Sequence, residues 1–297
     1  MRSQIDATDD VGCRFEIVTQ PRQIVPGRTY LLTRRSTQRL FLLRPDEKTN
    51  QIVRYCLGEA LDRFGMELHC SVTMSNHYHL VVTDVRGCLP DFLRHLNLMT
   101  AKALNARWGR WENLWSVEQP CATWLVDDDD KLAKSVYTLV NPTVDDLVDR
   151  IEDWPGVSSW EAHVRGKAIT VERPIEFFRK DGRMPERVTI TVVAPRRANG
   201  ERWALDDWNE KLIAAVRASE DAARVWRQKR CIRVLGRRAI RKQSAFDGPQ
   251  TREARRRLRP SLACRDRERR VHELRVLRAF RTQHRAASKA LLSGDRA

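Results

Sequence analysis

The stretch VTMSNHYHLVV, residues 72–82, predicts a β-hairpin whose second strand carries two histidines. Residues 66–74 and 77–83 are typical of strands, and the Ser-Asn pair between them predicts a tight turn because asparagine tolerates positive φ. Alternate side chains of a strand share one face, so His77 and His79 point to one side of the sheet and Tyr78 to the other. Neither imidazole gains from burial in an apolar strand, so the pair needs another explanation.

The segments around this hairpin predict a sheet covered by helices. Helical apolar spacing, a glycine stop and an acidic first turn are the local signals. The predicted elements are a strand over 28–35, helices over 46–65, 89–109 and 127–142, a shorter helix over about 143–151, a further strand within 181–201 and a helix over 205–235. The strand–helix–strand–strand–helix order predicts an α+β, ferredoxin-like fold with a mainly antiparallel sheet.

Basic residues are concentrated in the last quarter of the chain. The 297 residues carry a net charge of +16. Residues 222–297 hold 24 Lys/Arg against six Asp/Glu, a net +18, so the other 221 residues carry a net −2. Such a bias indicates a polyanionic partner, nucleic acid or an anionic membrane. With little apolar periodicity, this basic C-terminal extension is expected to be partly helical or disordered.

The remaining composition predicts a cytoplasmic, nucleoid-associated protein. No apolar run of about 18 residues exists, and the N-terminus lacks the apolar core of a signal peptide. Seven cysteines, odd in number and without a CxxC pair, indicate free thiols in a reducing compartment. We expect three segments: a catalytic domain over 22–165, an accessory α/β segment over 166–221 and the basic extension over 222–297.

Two imidazoles on one strand face can converge on a divalent ion, since the strand rise separates them by about 7 Å. Two ligands do not make a site, and a half-exposed histidine pair in an edge strand is the alternative. Tyr137 lies on the predicted helix over 127–142, with Asn141 one turn later on the same face. Their alternative interpretation is a core tyrosine followed by a capping asparagine before Pro142.

These segments together resemble a known family. MSNHYHLVV (74–82) looks like the histidine–hydrophobic–histidine signature of IS200-like single-tyrosine transposases, and YTLVNP (137–142) like the Tyr-x-x-x-Asn-Pro helix of their REP-associated subgroup. LLTRR, NLW and DWPGVSSW add support, and the resemblance spans about residues 22–165. The family commonly continues Asn-Pro with Val-Arg-Ala-Gly, whereas this chain has Thr-Val-Asp-Asp at 143–146.

The resemblance implies cleavage and rejoining of single-stranded DNA at hairpin or palindromic repeats, by a monomer or homodimer. It makes Tyr137 the nucleophile that forms a 5′-phosphotyrosine. It makes His77, His79 and Asn141 the ligands of Mg²⁺ or Mn²⁺, and imidazoles favour Mn²⁺ in vitro. The residues expected to contact DNA phosphates are Arg34, Arg35, Arg255, Arg256 and Arg257.

Three other functions stay open at this point. A domesticated, catalytically silent DNA-binding or regulatory protein would fit the altered residues 143–146, although the chain retains both histidines, Tyr137 and Asn141. A replication initiator or relaxase would be expected to carry a nucleotide-binding glycine-rich loop, which this sequence lacks. A metal-dependent hydrolase of small molecules does not explain the basic extension.

Overall fold

The elements follow the predicted order in this computed structural model, which describes residues 21–251 and 259–293. The strands are β1 (Arg28–Arg35), β2 (Glu67–Thr73), β3 (His77–Asp84), β4 (Cys121–Leu125), β5 (Ile169–Glu172), β6 (Arg187–Ile190) and β7 (Leu262–Ala263). The helices are α1 (Glu47–Phe64), α2 (Leu89–Trp108), α3 (Asp128–Val144), α4 (Trp160–Arg165), α5 (Leu205–Lys229), α6 (Arg237–Lys242) and α7 (Arg267–Ser293).

The chain divides into two compact units. One unit, Ile24–His272, contains both sheets and the first six helices. The other combines Met1–Gln23 with Glu273–Ala297, of which the structure describes residues 21–23 and the helical residues 273–293. The candidate site residues discussed below all belong to the first unit.

The main sheet has the strand order β2-β3-β1-β4-β7. β1 is antiparallel to both of its neighbours, β2 and β3 form the predicted hairpin, and β7 pairs with β4 in parallel. In β1 and β3 the register places Thr33 opposite His79 and Arg35 opposite His77. The first four strands with α1 and α2 give the ferredoxin-like order, which confirms the predicted α+β fold.

Alternate side chains of β3 contribute to two apolar cores, one on each face of the main sheet. Tyr78, Leu80 and Val82 belong to the apolar core formed with α1 and α2. Val81 belongs to a second core, formed with α3 and α5 on the opposite face of the sheet. Because the side-chain period of a strand is two, the alternation of β3 also fixes which layer each histidine faces.

Local signals explain how the first two helices begin and end. Asp46 caps α1 by accepting a hydrogen bond of 2.9 Å from the Thr49 N–H. Both helices end at a glycine in the left-handed conformation, Gly65 with φ +62° and Gly109 with φ +61°. Glycine takes this conformation without a Cβ clash, so the predicted stops are confirmed.

The end of α3 differs from the prediction. The helix continues through Pro142 to Val144, because proline in the last turn removes one backbone donor while the Asp145 N–H still bonds the Asn141 carbonyl at 3.1 Å. The predicted helix over 143–151 is wrong. Asp146 has φ +56°, which turns the chain out of helical geometry, and only a 3₁₀ turn follows at Ile151–Asp153.

The sequence predicted the later elements in part. A helix was expected over 205–235 and is α5, and the strand expected within 181–201 is β6. The partner of β6 in a two-stranded sheet, β5, was not predicted. The basic extension is partly helical, as expected, and it also supplies β7. The division of the chain into three functional segments stays a prediction.

Later segments cover the free edge of β2 and the edge of β4 that faces away from β1. At β4 the N–H groups of Trp124 and Val126 donate to carbonyls of residues 261 and 263, each at 3.0 Å. At β2 the outer backbone groups bond to segments after α3. These segments contribute Val157, Ser159 and Val193. The edges that the first four strands leave open are therefore occupied, by β7 beside β4 and by segments after α3 beside β2.

The described residues contain neither a membrane-spanning helix nor a disulfide bond. No helix there is long and apolar enough to cross a membrane. The six cysteines that the structure describes are all free thiols, as predicted, and the remaining one, Cys13, lies outside the described residues. Four of these thiols contribute to the apolar cores. These are Cys56, Cys70, Cys88 and Cys264.

The buried His69 makes the stability of the fold depend on pH. Its Nδ1 donates to the Val193 carbonyl at 2.8 Å, and in the neutral ring its Nε2 accepts from the Thr83 hydroxyl at 2.7 Å. Burial lowers the pKa of His69 to about 4. In the unfolded chain the pKa is about 6.5, so the stabilisation is complete above that pH and is lost as the pH falls toward 4.

We expect His69 alone to lower the free energy of unfolding by roughly 3 kcal/mol between neutral pH and about pH 4. Urea unfolding measured across this range gives the slope. His69→Gln should be less stable at neutral pH but show a flatter dependence. The buried His163, whose pKa burial also lowers, accounts for part of the slope that remains. An unchanged slope in His69→Gln would show that other groups control the acid sensitivity.

Candidate active site

A cavity of about 1000 Å³ opens on the face of the sheet that carries α3. Its wall includes all four residues that the sequence singled out for chemistry. These are His77, His79, Tyr137 and Asn141. They come from two elements, since β3 supplies the histidines and α3 supplies the other two. The structure therefore brings together residues that lie about 60 positions apart in the chain.

His79 is held in one orientation by the neighbouring strand. Its ring is buried, and its Nδ1 lies 2.8 Å from the hydroxyl of Thr33, directly opposite on β1. Burial, with a smaller contribution from His77, holds the pKa of His79 well below its ordinary value, so the ring is neutral at physiological pH. Its Nε2 is buried and has no hydrogen-bond partner. A neutral ring that donates from Nδ1 leaves this Nε2 lone pair free for a ligand.

His77 lies beside His79, with ring centroids 4.8 Å apart and planes at 83°. Its Nδ1 is 2.7 Å from Oδ1 of Asn76, an acceptor, so Nδ1 donates and the lone pair of the neutral ring is on Nε2. The histidine in the first position of the pair is thus oriented by the turn that precedes it. In both rings Nδ1 has a hydrogen-bond partner, so Nε2 is the nitrogen that could bind a metal.

Asn141 presents a second unsatisfied acceptor. The residue is buried in the last part of α3, and its Oδ1 has no hydrogen-bond partner. A buried acceptor without a partner costs roughly 1–3 kcal/mol, so two of them in one cavity call for a ligand. Imidazole nitrogen and amide oxygen are both metal-ligand types, so the donor set fits a divalent cation.

Tyr137 is the one tyrosine of the four, all described by the structure, that lines this cavity. Its side chain is 46% exposed, and its ring centroid lies 5.2 Å from that of His79. The Lys134 ammonium, one helical turn earlier, lies 5.7 Å from the Tyr137 ring centroid. The other three tyrosines are buried in the core on the opposite face of the sheet. These are Tyr30, Tyr55 and Tyr78.

The structure describes two of the five arginines that were predicted to contact DNA. Arg34 and Arg35 line the cavity, where both interact with Glu118. Arg255, Arg256 and Arg257 lie outside the described residues. Sequence reasoning missed Arg259, which lines the same cavity, because nothing local distinguishes it from the other arginines of the basic extension.

The end of α3 is held by Arg227 from α5. This arginine is 3% exposed, and it donates to the Thr143 carbonyl at 2.7 Å and to the Asp149 carboxylate at 2.7 Å. Its guanidinium also lies 3.6 Å from the Asp146 carboxylate. Residues 143–146 are therefore stabilised by a distant helix, through contacts that no local sequence pattern predicts.

Asp146 occupies the position where the resembling family commonly has glycine. Its φ of +56° is a conformation that glycine adopts without steric cost. Asp145, just before it, lines the cavity one turn after Asn141. The cavity wall partly desolvates the Asp145 carboxylate and Asp146 lies nearby, so the pKa of Asp145 is raised although the residue is largely exposed. Asp145 and Asp146 thus place two carboxylates in the cavity wall at the end of α3.

A second cluster contains residues of the kinds that bind metals, but these residues bond to one another and to Arg269. Ligand atoms of Asp127, Asp130 and Cys264 lie within 4.8 Å of one another. The Cys264 thiol donates to Asp127 at 2.9 Å, and Asp127 also pairs with Arg269 at 2.8 Å. Burial and Asp127 raise the pKa of Cys264 to about 12, whereas a metal requires the thiolate. This cluster therefore attaches the basic extension to the start of α3.

Two solved structures are similar to part of the chain. A REP-associated tyrosine transposase bound to a REP hairpin is 20% identical, with a TM-score of 0.42 over 57% of this chain and 96% of the other. A candidate transposase from Deinococcus radiodurans R1 is 20% identical, with a TM-score of 0.28 over 35% of this chain and 82% of the other. No protein-family model and no curated protein matches the sequence.

Proposed function

We propose that this protein is a transposase-type strand transferase, of the IS200-like, REP-associated kind, that cleaves and rejoins single-stranded DNA. One observation supports this most strongly: a half-exposed tyrosine shares a cavity with two oriented histidines and an asparagine whose acceptor is unsatisfied. A phenol beside three side chains that can bind a metal is the arrangement that forms a phosphotyrosine intermediate.

In this proposal the metal site is formed by His77, His79 and Asn141. The unsatisfied Nε2 of His79 and Oδ1 of Asn141 are the atoms that fit a cation. Mg²⁺ or Mn²⁺ bound there supplies Lewis-acid activation of the scissile phosphate and neutralises its developing charge. Thr33 and Asn76 keep the imidazole rings in the orientation that the ligands need.

Tyr137 is the nucleophile of the proposed reaction. Its phenolic oxygen forms a bond to the phosphorus, and the bond from phosphorus to the 3′ oxygen breaks. The phenolic proton leaves as the new 3′-OH is formed, so the products are a 5′-phosphotyrosine and a free 3′ end. Attack by a 3′-OH on this phosphotyrosine restores a phosphodiester without ATP. The Lys134 ammonium lies where it attracts the phosphate toward the phenol.

The cavity provides positive charge for a DNA backbone. Five cationic side chains line it. These are Arg34, Arg35, Arg39, Lys134 and Arg259. Arg259 is part of the basic extension, whose net charge is +18. The five cations and the rest of that extension neutralise phosphates and release counterions without reading sequence. We propose hairpin-forming or palindromic single strands as the substrate, on the resemblance described above.

Metal binding tests the proposed ligand set without any cleavage assay. We expect Mn²⁺ to bind the wild-type protein in calorimetric titrations and to raise its melting temperature. Asn141→Ala and His77→Ala should each weaken Mn²⁺ binding by at least about tenfold. Tyr137→Phe serves as the control and should bind Mn²⁺ as the wild type does. Equal Mn²⁺ affinity in Asn141→Ala would remove Asn141 from the ligand set.

A covalent adduct tests the proposed reaction itself. The protein is incubated with Mn²⁺ and single-stranded hairpin DNA labelled on the 3′ side of the cut, and then separated under denaturing conditions. A label that stays on the protein supports the phosphotyrosine mechanism. DNA binding without cleavage or adduct would instead favour the catalytically silent alternative.

A further inference from the structure

Glu118 contacts three arginines in the wall of the candidate active-site cavity. Its carboxylate oxygen Oε2 contacts the guanidinium groups of both Arg35, at 3.8 Å, and Arg259. Its backbone carbonyl accepts a hydrogen bond from the guanidinium of Arg34. All four residues line the cavity that contains His77 and Tyr137. One anion thus joins the end of β1 to the basic extension.

Backbone hydrogen bonds place this glutamate. Glu118 lies in the loop between α2 and β4. Two backbone bonds fix this loop: the Ser116 N–H donates to the Arg35 carbonyl at the end of β1 at 2.9 Å, and the Thr37 N–H, just after β1, donates to the Leu114 carbonyl at 2.8 Å. The N–H of Glu118 donates to the Ser116 hydroxyl at 3.3 Å. The loop backbone is fixed, while the Glu118 side chain is half exposed and can rotate away.

A carboxylate and a DNA phosphate are chemically alike at such a site. Each carries one negative charge on two oxygens, and a guanidinium binds either with the same donors. Arg35 and Arg259 meet at a single oxygen, Oε2, so one phosphate oxygen could replace it. The pair comes from segments more than 200 residues apart, which makes it a feature of the folded protein.

We propose that Arg35 and Arg259 form a binding site for one backbone phosphate of single-stranded DNA, and that Glu118 fills this site until DNA displaces it. The inference rests on the proposed function and deepens it, because it assigns the basic extension a specific contact at the active site. Glu118 then acts as an internal competitor: it lowers affinity for DNA and keeps two arginines oriented for the phosphate.

Binding of a fluorescein-labelled oligothymidine by full-length protein tests this inference. All variants carry Tyr137→Phe, so no strand is cut. Glu118→Gln should bind about three- to tenfold more tightly, because no carboxylate competes. Arg259→Gln should bind more weakly and lower the slope of log affinity against log salt by about 0.7, the value of one single-strand phosphate contact. In the Arg259→Gln background, Glu118→Gln should gain less than it does alone.

Glu112→Gln is the matched control. Glu112 lies in the same loop, its side chain is 80% exposed and pairs with Arg110 at 3.6 Å, and it does not line the cavity. Equal gains from Glu112→Gln and Glu118→Gln would overturn the inference, because net charge alone would explain both. Unchanged or weaker binding by Glu118→Gln would overturn it as well. The adduct assay on wild-type protein reports separately on the proposed function, since these measurements involve no cleavage.

Discussion

Tyr137→Phe is expected to abolish strand cleavage and the covalent adduct while binding of Mn²⁺ and DNA persists. The substitution removes the one oxygen that can attack phosphorus, so the cleavage rate should fall by at least about 10⁴-fold. The ring is 46% exposed and retains its contact with His79, so the free energy of unfolding should change by less than about 0.5 kcal/mol. Rates on labelled single strands and denaturing electrophoresis measure the two losses.

Tyr78→Phe provides the control for this experiment. Tyr78 lies between the two histidines in sequence but faces the opposite core, where its hydroxyl donates to Asn97 at 3.0 Å. Its loss should cost about 1 kcal/mol of stability and leave cleavage intact. Cleavage by Tyr137→Phe at the wild-type rate would mean that metal-activated water is the nucleophile, and the strand-transfer mechanism would be wrong.

Arg227→Met should be among the most destabilising single substitutions in the protein. Methionine keeps most of the aliphatic side chain but leaves the Thr143 carbonyl and the carboxylates of Asp146 and Asp149 without their guanidinium. Loss of one partner from a buried ionic network costs about 3–5 kcal/mol, and the partial exposure of the aspartates places this case nearer 2–4. Urea unfolding monitored by circular dichroism measures the change.

Lys229→Met controls for the loss of one positive charge from α5. Lys229 is an exposed residue at the last position of the same helix, so its replacement should change the free energy of unfolding by less than about 0.5 kcal/mol. Equal stability of Arg227→Met and Lys229→Met would show that the contacts at the end of α3 contribute little. Because α3 also carries Tyr137 and Asn141, Arg227→Met should weaken Mn²⁺ binding at temperatures where it is folded.

The parts of the fold that were predicted are those with a strong local pattern. The alternation around His77 and His79 identified β3, and Gly65 and Gly109 identified the ends of α1 and α2. The pattern was too weak for β7, since two residues, Leu262 and Ala263, show no periodicity. Pro142 was misleading, because a proline in the last helical turn removes one donor without ending the helix.

The positions of the candidate site residues were predictable where the residues share one element. Tyr137 and Asn141 lie one turn apart on α3, and the two histidines lie on one face of β3, so spacing placed each pair. Glu118, Arg227 and Arg259 could not be found in this way. Each acts through partners distant in sequence, and their pairing depends on the tertiary fold.

The covered edges of β2 and β4 have a consequence for the behaviour of the protein at high concentration. An open edge strand is a template on which a second copy can add its own strand, which leads to aggregation. Here the edge of β4 is bonded to residues 261–263 and that of β2 to later segments. The C-terminal extension that we propose to bind DNA thus also covers the edge of β4, so its loss would expose this strand and affect solubility as well as affinity.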